Sequence, residues 1–154
     1  VEAGDAVAIK ATWKGVEHVT AAFASMAART GATTGATVTK VLHQVERQER
    51  TQLSLGWHPF GTKTGSVPPS PPWRISGHLS RSVRVEPAVS SGFVWTGRVG
   101  PTAVYARIQE LGGRIGAGHR TVLPSRPHLR PAWAIVRPTL RHTFTDVWAH
   151  STRP

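Results

Sequence analysis

The chain has 154 residues, a formal net charge of +11 and no cysteine. That length is one ordinary domain, residues 1–154, able to bury about two thirds of the surface its unfolded chain would expose. Without cysteine there are no disulfides and no thiolate zinc sites, as suits a reducing cytoplasm; no apolar run nears the ~20 residues of a membrane span or forms a signal-peptide core, so a soluble protein is expected.

Val7, Ile9, Ala11 and Trp13 alternate with Ala8, Lys10 and Thr12, the period-two pattern of a half-buried strand that Gly15 ends. Val16, Val19, Phe23, Met26 and Ala27 then recur at helical spacing and predict a helix from about Gly15 to Arg29. Gly31 to Gly35 reads as a loop or a helix break. A second apolar stripe follows at Val38, Val41, Leu42, Val45 and Leu53, with Glu46, Arg47, Glu49 and Arg50 expected on or near its wet side.

Gly56 to Gly77 differs in kind: 22 residues with five prolines and four glycines, and Trp57, Phe60 and Trp73 set among them. Structureless segments of that length are uncommon in a compact domain and tend to be functional. We read it as an arm, residues 56–77, lying either on a neighbouring subunit or back on its own domain. Beyond it, Leu79–Glu86 and Phe93–Val99 alternate as strands joined at Ser90-Ser91-Gly92 in a hairpin. Tyr105–Leu111 predicts a short helix closed by Gly112-Gly113, and Thr121–Leu123 a short edge strand. Trp133, Val136, Leu140, Phe144 and Val147 mark a C-terminal helix that Pro138 kinks or breaks. The sum is an α+β domain, a small antiparallel sheet on two or three helices with a long Pro/Gly-rich arm.

Candidate chemistry is sparse. Gly56 to Thr64 looks like a phosphate loop, but Thr62 separates the second glycine from Lys63, Pro59 removes an amide, and no buried strand precedes it. Gly112 to Gly118 lies in no βαβ frame and reads as a hairpin tip carrying Arg114, His119 and Arg120. The eight histidines are scattered, none in the helical i,i+4 pair with glutamate of a zinc protease, so all are expected at the surface. Among the few carboxylates Glu110 alone is flanked by apolar residues, where burial would raise its pKa; a turn anchor or an arginine partner is the simpler role. No serine has a visible base and orienter. Neither an enzyme, a cofactor nor a metal is expected.

Charge is unevenly placed. From Arg74 to Arg141 there are eleven arginines and no lysine against Glu86 and Glu110, a local net charge of +9. Such a surface attracts phosphates or acidic protein faces. No helix-turn-helix, zinc-finger or RNA-recognition signature accompanies it.

Three segments carry a resemblance. They are Pro71 to Val83, containing Gly77, Leu79 and Ser82; Tyr105-Ala106 followed by Glu110-Leu111-Gly112; and Leu123-Pro124-Ser125-Arg126-Pro127-His128-Leu129-Arg130-Pro131-Ala132, whose prolines fix the start of a helix. In this order the chain resembles, over roughly residues 74 to 149, the tail-completion or head–tail joining proteins of long-tailed bacteriophages, also described as minor tail components or virion morphogenesis proteins. It departs from the family pattern at His128, where an aromatic ring is usual, and at Pro138, inside a helix that usually runs on.

The resemblance implies a structural virion protein of the neck, made in the host cytoplasm and built into a homo-oligomeric ring, expected as a hexamer. Its implied neighbours are the tail terminator, head-closure and tail-tube proteins, with genomic DNA passing through and no membrane. The residue types agree: six tryptophans exceed what one small core needs, and Trp and Arg are favoured interface anchors. Trp57, Phe60, Trp73, Arg74, Arg114, Arg120 and Trp148 are the expected subunit and partner contacts. The alternative is a basic DNA-binding or DNA-channel-lining protein.

Overall fold

One long helix organises the chain. In the computed structural model, which describes residues 16–61 and 65–152, helix α1 runs from Val16 to Gln52. Its 37 residues span about 55 Å. The strand expected over Val7–Trp13 lies outside the described residues.

The break expected at Gly31–Gly35 does not occur, for two physical reasons. The Thr33 hydroxyl donates to the Arg29 carbonyl, Thr34 to Thr30 at 2.6 Å, Thr37 to Thr33 at 2.7 Å and Thr39 to Gly35 at 3.1 Å. Side chains that would draw the backbone into a turn are thereby absorbed by the helix itself. Gly35 also has a tertiary use: a Cβ there would stand 2.3 Å from the Trp95 ring. Packing an indole against the helix outweighs the ~1 kcal/mol that glycine costs a helix interior.

Beyond the arm, the run expected as one strand over Leu79–Glu86 divides. Gly77, at φ +74°, turns the chain into one short helix, α2 (His78–Ser82), and the Ser82 hydroxyl closes it by donating to the Leu79 carbonyl at 2.7 Å. Strand β1 (Val83–Ser91) then pairs antiparallel with β2 (Val94–Pro101), from Val83 opposite Pro101 to Ser91 opposite Val94. Gly92, at φ +61°, opens the two-residue turn, the position where such hairpins favour glycine. Pro87 and Ala88 form a bulge in which the ladder is skipped, and the freed Ala88 N–H donates to Thr39 Oγ1 of α1 at 3.1 Å.

The remaining elements are α3 (Ala106–Leu111), β3 (Gly113–Ile115) paired antiparallel with β4 (Thr121–Leu123), α4 (Leu129–Val136) and α5 (Leu140–Ser151). A 3-10 turn at Arg137–Thr139 separates α4 from α5 where Pro138 supplies no amide, as its sequence position predicts. The fold is α+β, helices with two small antiparallel sheets. Its core joins Val41 and Val45 of α1 to Ala132 and Val136 of α4, flanked by Val99, Leu129, Leu140 and Phe144. α1 thus serves as the common wall for the hairpin, α4 and α5.

Candidate interaction surface

The best-defined local chemistry lies where the second and third motif segments meet. Glu110, on α3, accepts the backbone N–H groups of His128 at 2.7 Å, Leu129 at 3.0 Å and Arg130 at 3.0 Å. Pro131 has no N–H to satisfy, and Ala132 makes the first bond within α4, to the His128 carbonyl. One carboxylate and one proline therefore account for every donor at the start of α4, and the negative charge sits at the positive end of the helix. Gly112 makes this approach feasible: at φ +71°, a Cβ on it would fall 2.7 Å from the Ser125 nitrogen and 2.9 Å from the Leu123 carbonyl. The Arg126 N–H donates to the Gln109 carbonyl at 2.7 Å beside it. Burial alone would raise the Glu110 pKa, but the three amides and the adjacent His128 hold it below the ordinary carboxylate range. The upward shift expected from its apolar flanks is thus reversed. Of the two roles anticipated for Glu110, the turn anchor is the one seen, without an arginine side chain.

Three residues expected at the surface are interior. His128 is 1% exposed and its Nδ1 lies 2.9 Å from Oε1 of Glu49, a residue with no exposure at all. Its Nε2 is 3.8 Å from Glu110 Oε2. The helical spacing Val41, Val45, Glu49, Leu53 puts Glu49 on the core stripe, and only its charge suggested the wet side. His128 lies within the proline box, and Glu49 is its counterpart on α1. His58 is also largely buried, with its Nδ1 3.1 Å from the Pro59 carbonyl. Among the described residues no group of three or more His, Cys, Asp or Glu side chains is placed to hold a metal ion.

The arm closes on itself at its base. Trp57 and Arg74 form a parallel bridge, with the His58 N–H donating to the Arg74 carbonyl at 3.2 Å and the Arg74 N–H to the Gly56 carbonyl at 2.8 Å. The Trp73 ring lies on Gly56, where a Cβ would be 2.3 Å from it, and stands 6.0 Å from the His58 ring. Further along, Gly65 passes the Arg126 guanidinium of the same chain, 3.2 Å from where its Cβ would be. Trp57, Trp73 and Arg74 therefore form one cluster. Phe60 projects from it, 93% exposed, and Val67 is also exposed.

Beside the cluster is a cleft of about 200 Å³. Leu53, Pro72, Trp73, Ile75, Leu79 and Tyr105 give it an apolar lining, and Arg74 and His78 are its basic members. His78 Nδ1 and the Tyr105 hydroxyl are 3.0 Å apart, so the first two motif segments also touch. Gln109 lines the cleft as well, its Oε1 buried without a hydrogen-bond partner.

The other expected contacts lie elsewhere. Arg114 and Arg120 are exposed on the β3–β4 hairpin, and no ion pair engages either among the described residues. Trp148 lies on α5, its indole N–H donating to Thr34 Oγ1 at 3.0 Å and its ring 5.6 Å from that of Phe144, so it fastens α5 to α1 while remaining half exposed. Sequence reading missed Phe93, fully exposed at the β1–β2 turn, and Val104, nearly so. Both stood in alternating or linking stretches where no pattern distinguishes an outward apolar side chain from an inward one. Among the described residues no helix is long and apolar enough to cross a membrane. Comparison with known protein families, characterised proteins and solved structures finds no match.

Proposed function

We propose that this chain is a structural protein of the neck of a long-tailed bacteriophage, assembling into a homo-oligomeric ring that joins or completes the tail at the head–tail interface. One observation supports the reading above others: the segments that carry the resemblance are neighbours in space. Gly77 to Ser82 meets Tyr105 through His78, and Glu110 gathers the amides that open the proline-box helix. Blocks scattered in sequence thus form one connected body, which accords with a shared structural role. The arm cluster supplies exposed aromatic and arginine side chains of the kind that anchor interfaces. In a closed ring each such contact repeats at every subunit.

The mass of the purified protein by native mass spectrometry or sedimentation tests this reading. A discrete oligomer near six copies is expected, and Phe60→Asp should reduce it to monomer without altering the circular dichroism of the subunit. Phe60 is the cleaner probe than Trp73, whose ring also packs on Gly56. A wild-type protein that stays monomeric at micromolar concentration and is absent from particles would remove the reading.

A second reading, a DNA-channel lining, is favoured by Arg114 and Arg120 on their exposed hairpin, in no ion pair among the described residues. Binding to duplex DNA that falls steeply with salt, and less steeply in an Arg114→Ala/Arg120→Ala variant, would support it.

A further inference from the structure

We infer that the cleft between the arm base and α2 receives an acidic segment of another protein, one apolar side chain entering the cleft while flanking carboxylates meet its basic rim. The inference deepens the neck reading by giving the chemistry of a neighbour, and rests on that reading for the neighbour's being a protein of the same particle.

Three observations carry it. At about 200 Å³ the cleft is below the ~300–1,000 Å³ typical of small-molecule sites, and suits a single anchoring side chain. Its lining contains no carboxylate. Its basic members are Arg74 and His78, and a third basic side chain passes close by: a Cβ on the lining residue Gly77 would be 3.0 Å from Arg81 Nη1 and 3.5 Å from the Arg74 stem at Cδ. Neither arginine is in an ion pair among the described residues, so both are available to an incoming anion.

Charge also selects the source of the segment. Among the described carboxylates Glu49 and Glu110 are committed to His128 and the start of α4, Glu46 to His43 and Arg50, and Glu86 faces Arg98 at 3.6 Å. Glu17 and Asp146 remain, on different helices, and they do not make an acidic stretch. The described fold therefore offers no acidic stretch to a second copy, Glu2 and Asp5 lying outside the described residues, and the occupant assigned is a different, acidic protein. A nucleic acid is less suited: the aliphatic lining from Leu53, Pro72, Ile75 and Leu79 offers little to a polar base edge, and one face of the Trp73 ring is already covered by Gly56.

The test is a nuclear magnetic resonance titration of the ¹⁵N-labelled full chain. The probe is an acetylated eight-residue peptide of aspartates and glutamates around one central leucine. Shifts centred on Trp73, Ile75, Leu79 and Tyr105 are expected. Replacing the central leucine by glycine, or Arg74→Glu in the protein, should each weaken binding about tenfold or more. Arg74→Glu keeps the main-chain pairing with Trp57, and an unchanged spectrum away from the cleft will verify its fold. No binding at millimolar peptide, equal binding of the leucine-free peptide, shifts spread evenly over Arg114 and Arg120, or the same localised shifts from an oligothymidylate would each overturn the inference. A ring whose subunits ignore the peptide would end this inference and spare the neck reading. A monomer that binds it would do the reverse.

Discussion

Glu49, His128 and Glu110 tie three helices together with one imidazole and two carboxylates. A buried ion pair adds little net stability when formed, because desolvation offsets attraction, but removing one partner strands the other. His128→Phe should therefore cost about 3–5 kcal/mol in chemical denaturation. Adding Glu49→Leu should recover most of that loss, and a double mutant no more stable than the single would contradict the pairing. Glu110 gives a separate, pH-resolved prediction. Its carboxyl titrates lower in the folded chain than in the unfolded one, so its contribution is complete above the ordinary carboxylate value and disappears as pH falls through the lowered one. Glu110→Gln should cost about 1–2 kcal/mol at neutral pH. The gap in melting temperature between variant and wild type should close as pH drops below 4.5; a gap constant to pH 3 would exclude the assignment. At this scale the sequence was only partly readable. The Glu-Leu-Gly and proline-box segments stand out, whereas Glu49 reads as wet because a charged residue on a core stripe is indistinguishable from a surface one until its partner, far along the chain, is known.

Glycine shows the same limit among the elements. Helix α1 contains Gly31 and Gly35, and local propensity treats both as weak points. Nothing lies within 4 Å of a Cβ at Gly31, so Gly31→Ala should stabilise the protein by about 0.5–1 kcal/mol. At Gly35 the Trp95 ring occupies that space, and Gly35→Ala should destabilise by about 1–3 kcal/mol despite the better helix former. Thermal melts of the two variants shifting in opposite directions would bear this out; shifts of equal sign would not. The β1–β2 hairpin, α3 with its closing glycine, β4 and the interruption at Pro138 were all legible, because each depends on local periodicity or on a turn residue. The continuity of α1 and the helical start at His78–Ser82 were not, since an indole from a distant strand and a serine hydroxyl within one turn decided them.

For the whole molecule the α+β class followed from counting periodic segments, while assembly does not follow from periodicity at all. If the ring forms as proposed, its stability should respond to salt according to what the arginines meet. Contacts to an acidic partner would weaken as salt screens them, and contacts among Trp57, Phe60 and a neighbouring copy would not. Sedimentation of the purified oligomer from 50 mM to 1 M salt separates the two cases: a mass independent of salt is expected for the isolated ring, and dissociation at high salt would assign the subunit contacts to charge instead.

The long helix also constrains how the protein can be made. Val41 and Val45 complete their covering with Ala132 and Val136, which the ribosome adds far later. Through most of synthesis that stripe is left wet, with the β1–β2 hairpin as its earliest shelter and no helix yet available to seal it. The nascent polypeptide must therefore stay soluble while half-dressed, and its surplus of arginine, which keeps like chains apart by mutual repulsion, suits that interval as much as it suits the finished subunit.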